Sequence, residues 1–327
     1  MERQTRWRLL VVFVVLASGC SHPLRTGPAT NEPLEPRLAE QATFGKPYRC
    51  GETPVIFDAQ GERARLVVGE EVFDLKPVVS ASGARYRSVD GTETGFWSKG
   101  ERALVTVRGR ELPECRALRE PDLPFTARGQ EPGWMITIDA DAIFLNADFG
   151  ALQLRMPKTE PLTTAEGFLY RTAAEGRRLA VTIRPEICAD VATGMPHPYR
   201  VRYELAGKAH AGCGGDPRSL LTGLEWIVET IGGVLVVEKS KATILFLEEG
   251  RVAGNALCNR FTGSFRLTGE GLSFGQMAGT KMACEEPLSR QEMRFLELLQ
   301  KTHRFEIGPQ GRLVLHTPDG QRITARR

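Results

Sequence analysis

Residues 54–75 read PVIFDAQGERARLVVGEEVFDL, and their alternation decides the fold class. Ala64, Leu66 and Val68 recur at every second place in Arg63–Val68, as do Phe73 and Leu75 in Glu71–Leu75. That is the period of a strand with one face on a core. Pro54–Asp58 precedes them, and Ala84–Val89, Gly95–Lys99 and Ala103–Arg108 follow with the same alternation. Asp58-Ala59-Gln60-Gly61 and Asp90-Gly91 are turn signals between them. Residues 45–118 therefore form an antiparallel β module. At about 70 residues it needs a staple, which Cys50 in the first strand and Cys115 in the last would supply.

Two further β modules follow. In 122–216, Trp134–Ile138 and Ala142–Leu145 make a hairpin across Asp139-Ala140-Asp141, with strands at Ala151–Arg155, Phe168–Arg171, Arg178–Arg184 and Tyr199–Leu205. In 218–327, strands are expected at Leu224–Ile231, Leu235–Glu238, Thr243–Leu247, Arg251–Asn255, Leu313–His316 and Gln321–Ala325. One helix interrupts this last set. Ser289 with Glu292 reads as a capping box, Leu288 with Met293 as a hydrophobic staple. Phe295, Leu298 and Leu299 then line one face at i, i+3, i+4. The fold class is mainly β, in three small modules.

Composition agrees. Of 327 residues, 41% are apolar and 25% charged, which are globular proportions. Gly 34 and Pro 20 suit a turn-rich β chain. A net charge of +3 is too small for a nucleic-acid partner, which needs a clustered basic face. No apolar run beyond the N-terminus approaches the ~18 residues of a membrane-spanning helix.

The first residues are an address. Arg3, Arg6 and Arg8 precede the apolar Leu9–Ala17, the pattern of an exported leader. Leu16-Ala17-Ser18-Gly19-Cys20 resembles a bacterial lipobox, which implies a leader over 1–19 and acylation of Cys20. Two or three acyl chains anchor stably where one would be marginal. Ser21, in the place where Asp would signal inner-membrane retention, favours the outer membrane, with the protein facing the periplasm. Without the leader the net charge is +1. Residues 20–44, with Pro23, Pro28, Pro33 and Pro36, read as a tether.

Export leaves Cys50, Cys115, Cys188, Cys213, Cys258 and Cys284 in an oxidising compartment, where disulfides are expected. Six cysteines allow 15 pairings. Sequential pairing gives one bridge per module: Cys50–Cys115, Cys188–Cys213 and Cys258–Cys284. No CxxC or His-x₃₋₅-His spacing occurs, so no metal or other cofactor is expected. Nor is there a nucleophile elbow or a clear carboxylate pair, and Cys258 has no neighbouring His. The chain therefore reads as no enzyme. Asp190 and His197 are a weak acid–base candidate. The glycines around Cys213 are expected to let the backbone turn there, and no helix pattern or Lys follows them to make a phosphate loop.

Three resemblances add function. Tyr48-Arg49-Cys50, Ser80-Ala81-Ser82-Gly83-Ala84-Arg85-Tyr86 and Phe96-Trp97-Ser98-Lys99-Gly100 resemble the membrane-bound inhibitors of c-type lysozyme. The resemblance implies an eight-stranded barrel. It also implies that Ser82 and Lys99 enter the lysozyme cleft and engage its catalytic carboxyl groups, with Tyr86 supporting the loop. Two features depart from the pattern. Ser82 to Lys99 is 17 positions, about three more than the family leads one to expect. The hairpin Val89–Gly95 is thus enlarged, an enlargement expected to shift Lys99 or to meet the enzyme. The module's 12 Lys and Arg over 45–117 barely exceed its 11 Asp and Glu, so long-range steering is weak.

Glu131-Pro132-Gly133-Trp134, Cys188-Ala189-Asp190 and Gly212-Cys213-Gly214-Gly215 resemble an uncharacterised family of bacterial lipoproteins, which brings no activity. Leu224-Glu225-Trp226, the string from Gly254 to Gly263 (GNALCNRFTG) and Thr280-Lys281-Met282-Ala283-Cys284 resemble the META domain family, which includes heat-shock-associated outer-membrane lipoproteins. Asn255, Asn259 and Arg260 in that string are a candidate binding patch, or else polar turns fixed by backbone hydrogen bonds. Two functions are carried forward: a lysozyme inhibitor acting through Ser82 and Lys99, and an envelope-stress structural or chaperone-like lipoprotein that does not inhibit.

Overall fold

The computed structural model describes residues 45–164, 166–237 and 240–327. The leader, Cys20 and the tether lie outside the described residues. What is described is mainly β, in three large sheets and one of two short strands, with a single α-helix among the described residues. Each of the three large sheets packs on a core of its own.

The first sheet is a closed barrel. Its strands are β1 (Lys46–Cys50), β2 (Thr53–Gln60), β3 (Arg63–Val68), β4 (Glu71–Val78), β5 (Ala84–Ser88), β6 (Gly95–Lys99), β7 (Arg102–Val107), the short β8 (Arg110–Glu111) and β9 (Cys115–Ala117). β1 to β7 pair in meander order, and β9 joins β7 to β1, so eight strands close a ring with β8 outside it. Closure removes both sheet edges. Alternate residues point inward: Tyr48, Phe57, Leu66, Leu75, Phe96 and Val105 are buried. Phe57 stacks on Phe96 with ring centroids 3.8 Å apart, and Tyr48 meets Phe96 edge-on at 5.2 Å. Cys50 and Cys115 are opposite each other in the β1–β9 ladder and are bonded, fastening first strand to last.

Turns alternate between two rims, and this positions the site. The loop before β5 (79–83) and the β6–β7 turn (100–101) lie at one rim. The β3–β4 turn and the enlarged loop 89–94 lie at the other. The extra residues are therefore at the far end of the barrel from Ser82 and Lys99, and the expected displacement of Lys99 does not arise. They are also packed. Thr94 is buried, its hydroxyl accepts from Arg108 N, Asp90 Oδ1 accepts from Thr92 N at 3.0 Å, and Ser88 Oγ donates to Thr92 O.

The second sheet has nine antiparallel strands curled round Trp134, Ile136, Tyr170, Val181 and Val201, with open ends at Leu152–Pro157 and Leu162–Thr164. Cys188 and Cys213 are bonded. The glycines beside Cys213 act differently from expectation. Cys213 lies within the strand Lys208–Gly214, and only Gly215, at φ +81°, turns the chain. A Cβ on Gly212 would stand 2.0 Å from Arg128 O and 2.7 Å from the Trp134 ring. These glycines make room for a tryptophan and a neighbouring strand.

The third sheet wraps nearly shut around α1 (Glu286–Lys301) and holds the Cys258–Cys284 bond. Phe295, Leu298 and Leu299 are fully buried on the helix face turned to the sheet, as their spacing predicts. The helix start corrects the sequence reading. Pro287 opens the first turn, where its fixed φ suits a helix and its missing N–H costs nothing. The helix thus begins before Ser289, whose N–H bonds to Glu285 O, with no side-chain cap. Met293 is 64% exposed, so there is no staple. Strands Asn259–Thr268, Gly271–Phe274 and Arg304–Ile307 go beyond those expected from the sequence. Met195, in a loop of the second module, is buried in this third core.

Candidate functional site

The rim carrying the 79–83 loop and the β6–β7 turn is assembled from residues that the motifs single out. β5 and β6 pair with Ala84 opposite Ser98, so Ser82 precedes one strand just where Lys99 ends the other. The 79–83 loop is fixed through backbone. Trp97 Nε1 donates to Ser82 O at 2.9 Å, and Ser80 Oγ donates to the same oxygen at 2.8 Å. Gly83 is required on two counts. Its φ is +70°, and a Cβ there would lie 2.2 Å from Ser98 O. Both bonds at Ser82 end on its carbonyl, which leaves its exposed hydroxyl facing solvent.

Lys99 is exposed and makes no ion pair among the described residues. Glu101, two places along the same turn, is the obvious internal partner, but it is held elsewhere. Its carboxylate lies 3.4 Å from Arg119 Nε and 3.7 Å from Lys46 Nζ. The hydrogen bond from Arg119 and the charge of Lys46 hold the Glu101 carboxyl below the usual carboxylate range. Its backbone oxygen accepts from Ala117 N at 2.8 Å. Glu101 is thus the residue that sequence reasoning missed, because its partners come from the first strand and from beyond the last.

Tyr86 is half-buried and its ring packs on Phe57 at 4.8 Å, so it pins β5 to the core beneath the loop. Arg85 lies over the Trp97 ring, 5.9 Å from its centroid.

The other sequence candidates are structural. Asp190 Oδ1 accepts from Ala192 N, Thr193 N and Thr193 Oγ1, and Oδ2 accepts from Gln130 Nε2, while His197 Nδ1 is bonded to Gly215 O. The two do not meet, and the acid–base pair is withdrawn. Asn259 is buried, its N and Nδ2 donating to the two Glu292 oxygens at 3.0 Å while its Oδ1 accepts from Thr280 Oγ1 and Met282 N. It ties strand, loop and helix together, and of the candidate patch only Arg260 is exposed. Glu292, expected to cap the helix, serves Asn259 instead. Glu292 also lies near Cys258 and Cys284 in a grouping of metal-ligand type, but both sulfurs are spent in a disulfide.

Comparison with known proteins is consistent with this division. Residues 48–113 match the sequence model of the family described as membrane-bound lysozyme-inhibitor of c-type lysozyme, and residues 219–327 match that of the META domain. An NMR structure of a protein from Burkholderia xenovorans is 26% identical, over 33% of this chain and 84% of that one, with a TM-score of 0.29. A second NMR structure is 26% identical over 34% of this chain and 94% of its own, also at 0.29. No curated protein matches the chain.

Proposed function

We propose that the first barrel inhibits c-type lysozyme by lodging Ser82 and Lys99 in the catalytic cleft. The observation that carries this is local. On adjacent turns of one rim sit a hydroxyl and an ammonium that have no partner among the described residues, each with its backbone fixed and its polar head in solvent. A lysozyme works with one protonated and one ionised carboxyl group flanking the scissile bond. Ser82 and Lys99 suit that pair: the ammonium answers the ionised group and the hydroxyl the other. The ammonium–carboxylate bond is charge-assisted and worth about 1.5–3 kcal/mol, and the hydroxyl bond to the neutral carboxyl about 0.5–1.5 kcal/mol. Inhibition of this kind involves no covalent step and no cofactor, and in this reading the protein acts as an inhibitor and not as an enzyme.

The same proposal holds the protein in the outer membrane through acylated Cys20, facing the periplasm. Its support is the lipobox string and the description of the matched family as membrane-bound. The META match at 219–327 supports the alternative reading, an envelope-stress structural or chaperone-like lipoprotein that does not inhibit.

The test is residual activity of a c-type lysozyme titrated with the full-length chain, the Ser82→Ala variant and the Lys99→Ala variant. Lys99→Ala, which loses the charge-assisted bond, is expected to raise the half-inhibitory concentration about tenfold or more, and Ser82→Ala, which loses the neutral one, about two- to tenfold. Parent-like inhibition by both variants removes the mechanism. A parent that inhibits no c-type lysozyme leaves the stress role standing alone.

A further inference from the structure

Lys99 is the first of a file of cations. In the barrel ladders Lys99 is opposite Arg102, Arg102 is opposite Arg116, and Arg116 is opposite Arg49, across four adjacent strands β6, β7, β9 and β1. Residues directly opposite share a face of the sheet. Lys99, Arg102 and Arg116 are exposed, and Arg49 is half-buried. At ~4.8 Å per strand the file is about 14 Å long. Little neutralises it. Arg102 lies 3.8 Å from the exposed Glu114, Arg49 donates to a backbone oxygen, and Arg116, like Lys99, makes no ion pair among the described residues.

Like charges directly opposite one another destabilise a sheet. The barrel as a whole has almost no excess of positive charge, yet its cations are lined up where they repel. A row of this kind, continuous with Lys99, fits a row of anions.

We propose that Arg102 and Arg116 extend the inhibitory contact beyond Lys99, and that the target is a c-type lysozyme with carboxylates along one lip of its cleft. The inference rests on the reading of Ser82 and Lys99 given above and adds what selects among lysozymes. Ser82 and Lys99 address groups that every such enzyme needs for catalysis, so they distinguish none. The Arg file meets side chains that differ from one enzyme to the next. Its pairs lie at the edge of the contact, where surface ion pairs are weak singly and screened by salt.

The experiment uses the full-length chain, Arg102→Gln, Arg116→Gln and Arg116→Glu, titrated against two c-type lysozymes, one with an acidic and one with a neutral cleft lip. Arg116→Glu is the informative variant. It turns two cross-strand repulsions into attractions, so the barrel should melt no lower than the parent, and a fall in melting temperature would contradict the repulsive file. Against the acidic-lipped enzyme each Gln variant is expected to need about two- to fivefold more protein for half inhibition in low salt. Arg116→Glu is expected to need tenfold or more. Both differences should shrink toward none in 0.5 M NaCl and be small against the neutral-lipped enzyme.

If the parent inhibits and Lys99→Ala weakens it, but the Arg variants inhibit equally, the inference fails while the mechanism stands. If neither the parent nor Lys99→Ala behaves as expected, the underlying reading fails first. A third arm measures binding to vesicles of anionic and of zwitterionic phospholipid. Loss of anionic-vesicle binding in the Arg variants, with inhibition unchanged, assigns the file to a membrane surface and overturns the proposal.

Discussion

Gly83→Ala tests the site without touching either side chain that is meant to reach the enzyme. A methyl at this position would stand 2.2 Å from Ser98 O, about 1.2 Å short of an ordinary 3.4 Å contact. Ser98 cannot withdraw, because β6 is paired to β5 on one side and to β7 on the other. The 79–83 loop has to move instead, by roughly 1 Å, and the left-handed φ of +70° adds about 1–2 kcal/mol for any residue with a Cβ. Movement on that scale pulls Ser82 O from the Trp97 indole and misplaces the hydroxyl. Loss of the hydroxyl's bond then corresponds to about two- to tenfold weaker inhibition. The assay is the lysozyme titration beside a thermal melt, in which the strained loop should cost the barrel about 1–2 kcal/mol and leave it folded. Asp90→Ala, in the enlarged loop at the opposite rim, is the control and should inhibit like the parent. Parent-like inhibition by Gly83→Ala would refute the claim that backbone geometry presents Ser82.

Trp97→Phe removes the indole N–H from Ser82 O while keeping an aromatic ring, and about 0.5–1.5 kcal/mol, or a two- to tenfold loss of inhibition, is expected with the barrel intact. Asn259→Ala takes one of two partners from the half-buried Glu292 carboxylate and leaves the Thr280 and Met282 donors without theirs, so the third module should lose about 1–3 kcal/mol in chemical denaturation with no change in inhibition. His316 gives a pH dependence. Burial pushes its imidazole below the usual value, partly opposed by Glu306 at 3.3 Å. Its folded pKa is lower than its unfolded one. The resulting stability is present above about pH 6.5 and is lost as pH falls through the depressed value. The parent should therefore lose more melting temperature between pH 7.5 and pH 5 than His316→Gln does.

Local pattern carried much of this structure. Alternation located the strands of the first barrel, since each side chain's fate there depends on its own parity. The spacing of Phe295, Leu298 and Leu299 gave the helix face, and the Ser82 and Lys99 motifs gave the rim. What escaped depends on partners far along the chain. Ser289 and Glu292 have the spacing of a cap, but Pro287 starts the helix earlier and Asn259 claims the glutamate. Gly212 looks like a turn residue until the Trp134 ring is seen lying against it. Glu101 and the arginine file become visible only when β9 is placed between β7 and β1, a register that no local window contains.

The rim that bears Ser82 and Lys99 is also where the barrel's chain arrives and departs: Lys46 and Arg119 both grip Glu101, in the turn that follows Lys99. An enzyme seated there would share the mouth with the segment beyond Leu118 that leads into the second module. That neighbour would act as a steric gauge, restricting the azimuth from which a cleft can approach, so substitutions that thicken Leu118 would narrow the range of admissible targets before altering a single contact with the catalytic groups.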